Sequence, residues 1–275
     1  MRPTIDQKRQ AFRDLHESGC FIIPNPWDAG SAAILQKLGF KAIASSSAGF
    51  AWTTARADYN VTRDGVLSHL KALVDATDIP VNADFENGFA HAPEEVATNV
   101  KLAVDTGLAG LSIEDSTWIE GDPLYAFDDA VARIAAARQA IDETGSGVLL
   151  TARSEGFFAG KPDLDETVAR IKAYANAGAD CLYAPGLRDK EQIAAVIAAA
   201  GGKPVNVLSY GMSLQELDAM GVRRISVGGS LTRSVYAELI RIATEIAKTG
   251  EISAIQTPQS AGINLNEIME TYRDG

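Results

Sequence analysis

Acidic side chains close two short apolar runs. The first is residues 81–88 (Val-Asn-Ala-Asp-Phe-Glu-Asn-Gly), and the second is residues 111–115 (Leu-Ser-Ile-Glu-Asp). Carboxylates repel one another and resist leaving water, so a group of them at the mouth of an apolar sheet needs a cation or a chemical role. Asp84 and Glu86 are two residues apart, which puts them on one side of an extended strand. Glu114 holds the equivalent point of the next run. Hard oxygen ligands of this kind suit Mg²⁺, with Mn²⁺ as the alternative. For any one of these acids, helix capping or pairing with Lys or Arg is an equal reading. The three together favour a metal.

The elements that must position them repeat along the chain. Apolar runs beginning near residues 21, 41, 80, 110, 148, 180, 204 and 224 each lead to a helical pattern. Those patterns cover 29–38, 63–76, 93–106, 128–144, 164–177, 190–199, 214–220 and 231–248. Gly39, Gly107, Gly178 and Gly221 follow helical stretches and suit left-handed C-caps. Asp28, ahead of Ala-Gly-Ser-Ala, suits an N-cap. Eight such units predict a closed (β/α)₈ TIM-type barrel rather than an open sheet, because no Gly-x-Gly-x-x-Gly follows the first run. An amphipathic N-terminal helix precedes it. A C-terminal helical extension near 264–272 follows Thr257 and Pro258. The expectation is one domain over 1–275, with 250–275 as a tail.

Barrel chemistry lies at the C-terminal ends of the strands. Those ends carry Asn25 and Asp28, Ser45 to Ser47, Asp84 and Glu86, Glu114 and Asp115, Arg153 and Glu155, Asn206 and Ser209, and Gly228 to Ser230; Asp58 lies in the loop after the second run. Many acids, one arginine and several small polar groups suit a small anionic substrate held through a divalent ion. Gly228 to Ser230 are expected to serve tight packing. His16, His69 and His91 match no ligand spacing and are expected at the surface or in caps.

The bulk numbers narrow the classes. The chain has 275 residues, 46% of them hydrophobic, and a net charge of −11. That balance argues against a nucleic-acid or anionic-membrane partner. The two cysteines, Cys20 and Cys181, lie far apart. They suit buried core positions of a reduced cytoplasmic protein and offer no zinc spacing. No apolar run approaches the ~20 residues of a membrane span.

From about residue 12 to 247 the chain resembles the isocitrate lyase / phosphoenolpyruvate mutase superfamily. The carriers are the stretch 24–32 (Pro-Asn-Pro-Trp-Asp-Ala-Gly-Ser-Ala), the serines of the second strand end, Asp58, residues 82–88, Ile113-Glu114-Asp115, Thr151-Ala152-Arg153 and residues 174–180. The resemblance implies a Mg²⁺-dependent barrel that cleaves or forms a C–C or C–P bond beside a 2-oxo acid or its enolate. It implies Asp84 as principal metal ligand, with Asp58, Glu86 and Glu114 around the ion. Glu86 replaces the family's second Asp. The resemblance further implies Arg153, Ser46, Ser47 and Glu114 as catalytic residues. Ser46, Ser47, Ala48, Asp84, Arg153 and Asn206 are the implied substrate contacts. A homo-oligomer, tetramer or dimer, that exchanges its last helix is implied as well.

One departure bears on substrate. Isocitrate and methylisocitrate lyases carry a Cys- and His-bearing loop after the fourth strand. Residues 115–125 here hold no Cys, His or Lys. The expectation is a carbon–carbon lyase for a small 2-oxo or 2-hydroxy acid that is not a genuine isocitrate lyase. The alternatives are an oxaloacetate decarboxylase, a phosphonopyruvate-type hydrolase, or a 2-oxo-acid-binding protein without turnover. Glu155, Ser116 and Tyr183 are candidate acids by position alone.

Overall fold

The computed structural model describes residues 2–209, 211–255 and 262–270. The strands are β1 (Phe21–Ile23), β2 (Ile43–Ala44), β3 (Val81–Asp84), β4 (Gly110–Glu114), β5 (Ser116–Ile119), β6 (Asp122–Leu124), β7 (Leu149–Arg153), β8 (Cys181–Tyr183), β9 (Val205–Leu208) and β10 (Arg224–Ser226). The helices are α1 (Ile5–Glu17), α2 (Ala29–Lys37), α3 (Ser47–Thr53), α4 (Arg63–Ala76), α5 (Pro93–Asp105), α6 (Phe127–Thr144), α7 (Leu164–Asn176), α8 (Lys190–Ala199), α9 (Leu214–Ala219), α10 (Ser230–Thr249) and α11 (Leu265–Glu270).

Eight strands form one parallel sheet in the order β1-β10-β9-β8-β7-β4-β3-β2. The Ala44 N–H donates to Pro24 O at 3.0 Å, bringing β2 back beside the end of β1. The result is a nearly closed (β/α)₈ barrel. Strand interiors such as Val81, Ala83, Leu111, Ile113, Leu150 and Ala152 are buried, as a parallel sheet covered by helices requires. The apolar faces of α4, α5, α6 and α7 supply the other side of this core, through Leu70, Leu73, Val100, Ile134 and Ile171.

Local chemistry sets the turns. Asp28 caps α2 by accepting the Ser31 N–H at 2.7 Å. Gly178, which follows the C-cap Ala177 of α7, has φ +103°; a Cβ there would also lie 2.6 Å from Arg138 Cγ, so only glycine fits. Gly39, Gly107 and Gly221 share that left-handed conformation.

Three features depart from expectation. β3 ends at Asp84, and Glu86 has φ +50°, so the two acids do not share one extended strand. Between β2 and α4 lies an extra helix, α3, whose N-cap Ser46 accepts the Gly49 N–H. The acidic segment after β4 forms the β5–β6 hairpin.

Burial of the histidines and cysteines also differs. His16 and His69 are buried rather than at the surface. α1 closes the barrel base, where His16 Nδ1 pairs with Phe12 O at 2.7 Å. His69 stacks on Phe50 of α3 with ring centroids 4.1 Å apart. Burial pushes the two imidazoles down to about 3 and about 4. Cys181 is buried, whereas Cys20 stands half-buried just ahead of β1.

The C-terminal region behaves differently from the barrel helices. Of the 20 residues of α10, only Thr232 is buried. Val235, Leu239 and Ile240 stand 50–65% exposed. Thr257, Pro258 and the last residues of the expected terminal helix lie outside the described residues. No helix among the described residues is long and apolar enough to cross a membrane.

Candidate active site

A cavity of about 420 Å³ opens at the C-terminal ends of the strands. Ser46, Ser47, Ala48, Asp58, Asp84, Arg153 and Asn206 all line it, bringing together seven of the nine residues expected there. Glu86 and Glu114 are buried behind this wall.

Arg153, at the end of β7, organises the acids. Its Nη1 lies 3.3 Å from Asp84 Oδ1 and 3.2 Å from Glu114 Oε2, and its Nε donates to Glu155 Oε1. The pairing of β4 with β7 places Glu114 opposite Arg153, which is why these side chains meet. Asp115 holds the strand end from behind. It accepts the Glu155 N–H at 2.7 Å, the Tyr174 hydroxyl at 2.6 Å and Arg170 Nη1 at 3.1 Å.

Asp84 is fixed from the other side. The Ser47 N–H donates to its Oδ2 at 3.0 Å, and its own N–H donates to Ser45 Oγ at 2.8 Å. The Ser46 hydroxyl serves as a helix cap and the Ser47 amide serves Asp84, so both are committed to the protein. The Asn206 amide is committed too: Nδ2 donates to Ser226 Oγ at 3.0 Å, and Oδ1 accepts from Arg224 Nε at 2.8 Å.

Five carboxylates, Asp58, Asp84, Glu86, Glu114 and Glu155, surround one guanidinium. Burial, then repulsion from Asp84 and Asp58, pushes Glu86 up to about 9. Burial raises Asp58 and Glu114 above the ordinary carboxylate range and lifts Glu155 to about 7. Both Glu86 carboxylate oxygens are buried without a hydrogen-bond partner.

That imbalance tests the fit of a divalent ion. Among the described residues no three carboxylates, imidazoles or thiols converge tightly enough to bind one ion together. Mg²⁺ does not require that; it keeps several waters and takes one or two carboxylates plus substrate oxygens. Asp84 and Asp58 on the cavity wall, with the unpartnered Glu86 carboxyl group behind them that a nearby cation would ionise, fit that mode.

The Glu86 proton gives a pH signature. Between about pH 4.5 and 9 the folded chain holds a proton there that the unfolded chain has released. Stability of the metal-free protein therefore falls as pH rises through that window. Glu86→Gln should flatten the fall between pH 5.5 and 8.5 by roughly 2–4 kcal/mol, read from urea titrations in EDTA. An unchanged slope would contradict this placement of Glu86.

An aromatic cluster stands beside the acids. Trp118 Nε1 donates to Glu114 Oε1 at 2.8 Å, and the Trp118 ring lies 4.8 Å from Tyr59 and 6.3 Å from Phe89. Tyr59, Glu86, Phe89 and Trp118 all hold left-handed backbone, with φ between 50° and 62°. Such strain, of order 1 kcal/mol per residue, gathers at functional sites.

Sequence reasoning did not place Tyr59, Phe158, Arg224 and Arg233 on the cavity wall. Phe158 and Arg233 reach in from loop and helix positions with no local signal, and Arg224 sits at a strand start. Gly228 to Ser230, expected at a strand end and there to serve packing, line the cavity. Asn25 Oδ1 accepts the Val227 and Gly228 N–H groups there.

Comparison with known proteins agrees with this geometry. A Burkholderia cenocepacia J2315 protein, described only provisionally as a lyase/mutase, superposes with a TM-score of 0.91 at 44% identity, covering 98% of this chain and 96% of its own. The oxaloacetate decarboxylase of Paraburkholderia xenovorans is 27% identical over 95% of this chain and 88% of the relative. Phosphonopyruvate hydrolase, in complex with oxalate and Mg²⁺, shares the fold with a TM-score of 0.83 at 24% identity, over 96% and 94% of the two chains. The phosphoenolpyruvate phosphomutase family matches residues 12–247. The chain belongs to that family, within the superfamily of isocitrate lyases and phosphoenolpyruvate mutases.

Proposed function

We propose that this barrel is a Mg²⁺-dependent carbon–carbon lyase for a small 2-oxo or 2-hydroxy carboxylic acid, and not an isocitrate lyase. The observation that carries the reading is Arg153: a buried guanidinium on the cavity wall, gripped by Asp84, Glu114 and Glu155. The oxaloacetate decarboxylase relative and the oxalate–Mg²⁺ complex of a fold neighbour support it.

Asp84 would hold the ion, with Asp58 acting through water and Glu86 and Glu114 behind, where a bound cation would favour their ionised forms. Mn²⁺ would serve in its place. When bound, the ion supplies Lewis-acid polarisation of the substrate's 2-oxo oxygen. The protein's own part is positioning. Arg153 Nε and Nη1 are engaged by acids, which leaves its Nη2 N–H groups to hold a substrate carboxylate or developing oxyanion. Glu155 keeps the guanidinium plane fixed, and Asp115 fixes the Glu155 backbone. Trp118 orients Glu114, and Tyr59 and Phe158 cover the cavity against water.

A second reading is oxaloacetate decarboxylation. The hairpin that follows β4 presents no thiol, imidazole or amine to protonate a departing fragment, whereas the enolate left by loss of CO₂ can take its C3 proton from water. Product NMR on a panel of 2-oxo and 2-hydroxy diacids with Mg²⁺ decides between them. C–C cleavage to two acids supports the lyase, loss of CO₂ the decarboxylase, and phosphate release from phosphonopyruvate a hydrolase. Binding without turnover across the panel would contradict an enzymatic role.

We further propose that α10 packs against a second copy of the chain, in a homodimer or homotetramer. A helix that buries one residue of 20 leaves Val235, Leu239 and Ile240 uncovered by the described residues of its own chain. Leu239→Glu combined with Ile240→Glu should reduce the particle mass in light scattering. A wild-type monomer at micromolar concentration would contradict this.

A further inference from the structure

The cavity floor has the opposite charge problem from its mouth. Arg224 is 3% exposed and lines the cavity. Its Nε donates to Asn206 Oδ1 at 2.8 Å, its Nη2 to Thr151 Oγ1 at 3.1 Å, and its Nη1 lies 3.4 Å from His16 Nε2. None of these partners is an anion, and burial together with Arg224 itself keeps the His16 imidazole neutral. Arg153 faces three carboxylates; Arg224 faces none among the described residues. A desolvated cation with only neutral partners is costly until an anion joins it. Three of the five guanidinium N–H groups are used, so two remain for a ligand. Asn82 Oδ1, on the same cavity wall, is also buried without a partner, so this region is not a closed network.

The spacing suits a short diacid. Thr151, which Arg224 touches, precedes Arg153 by two residues on β7, which places the floor about 7 Å below the mouth along the strand. A head group held at the mouth therefore leaves a second carboxylate within reach of the floor. The cavity's 420 Å³ is many times the ~30 Å³ that one water occupies.

We propose that Arg224 receives a second carboxylate of the substrate, so that the cavity selects short 2-oxo or 2-hydroxy diacids over monoacids with the same head group. This rests on the reading that the metal and Arg153 hold the head group. Calorimetric titration of the intact protein with Mg²⁺ and three probes tests it: oxalate, lactate and malate. Malate carries the lactate head plus a second carboxylate, whereas oxalate needs only the head-group site. Malate should bind wild type roughly 10- to 100-fold more tightly than lactate. Arg224→Met should erase that ratio and leave oxalate within about twofold. Arg224→Gln, which still reaches Asn206, should do the same if the Met variant does not fold. Equal binding of malate and lactate to wild type, or an equal loss of oxalate and malate in the variants, would overturn the proposal. Failure of oxalate to bind wild type would instead overturn the head-group reading, and the malate-to-lactate ratio would still report on Arg224.

Discussion

Replacing Asp84 by Asn should lower turnover by about 10³-fold or more while leaving the fold intact. Asp84 is the one carboxylate that both lines the cavity and touches Arg153. Asn keeps the size of the side chain, and its oxygen can still accept the Ser47 N–H. It removes the charge that would bind the ion and sets an NH₂ group beside Arg153 Nη1. Lewis-acid stabilisation is worth several kcal/mol, and each 1.36 kcal/mol is a factor of ten in rate. The site is only partly buried, so the melting temperature should move by a few degrees at most. Turnover and Mg²⁺ titration on the same preparation check this. A variant keeping more than a tenth of wild-type activity would remove Asp84 from the metal site.

The second large effect is on stability. Arg153→Met should cost about 3–5 kcal/mol near pH 8, because it strands Glu114 and Glu155 in a buried site without a cation. The cost should shrink as the pH falls. Glu155 titrates at about 7 with the guanidinium beside it, and the Arg153 charge is what holds it that low against burial. Without Arg153 its folded value rises further above 4.5. The folded variant then takes up protons that the unfolded chain does not hold, down to about pH 4.5. Stability gained on acidification is therefore larger in the variant than in wild type. Urea unfolding at pH 5.5 and 8 should show the gap between the two proteins narrowing at the lower pH. A gap independent of pH would mean that Arg153 does not set the protonation of these carboxylates. Turnover should be lost at both pH values, since among the described residues no other cationic side chain pairs with Asp84, Glu114 or Glu155.

Most of the barrel was legible because parallel strands and their covering helices write strong local patterns. The run ending at Asp84, the Ile113-Glu114-Asp115 end and the Thr151-Ala152-Arg153 end fell where the strands stop. Glycine after a helix marked the turn at Gly39, Gly107, Gly178 and Gly221 because L-residues avoid that backbone region. α3 escaped because its seven residues, with Gly49 among them, carry too few apolar positions for a periodicity. Glu86 was misplaced by one geometric assumption: alternation along a strand fails once the chain turns left-handed. Arg224 was missed for another reason. It starts its strand, at the end where chemistry is not sought, and only its long side chain, bonded to Thr151, brings it to the cavity. His16 and His69 were misjudged because their burial comes from α1 and α3 packing, which local spacing does not encode.

The central claim is one ion held at Asp84, with buried carboxyl groups behind it, and a keto acid bound beside Arg153. A crystal grown with Mn²⁺ and oxalate tests this directly, since manganese scatters anomalously and oxalate mimics the 2-oxo acid head. The account predicts an anomalous peak about 2.1 Å from an Asp84 oxygen, with oxalate bridging the ion and Arg153. A peak on surface carboxylates alone, or oxalate bound beside Arg153 with no ion at Asp84, would contradict it.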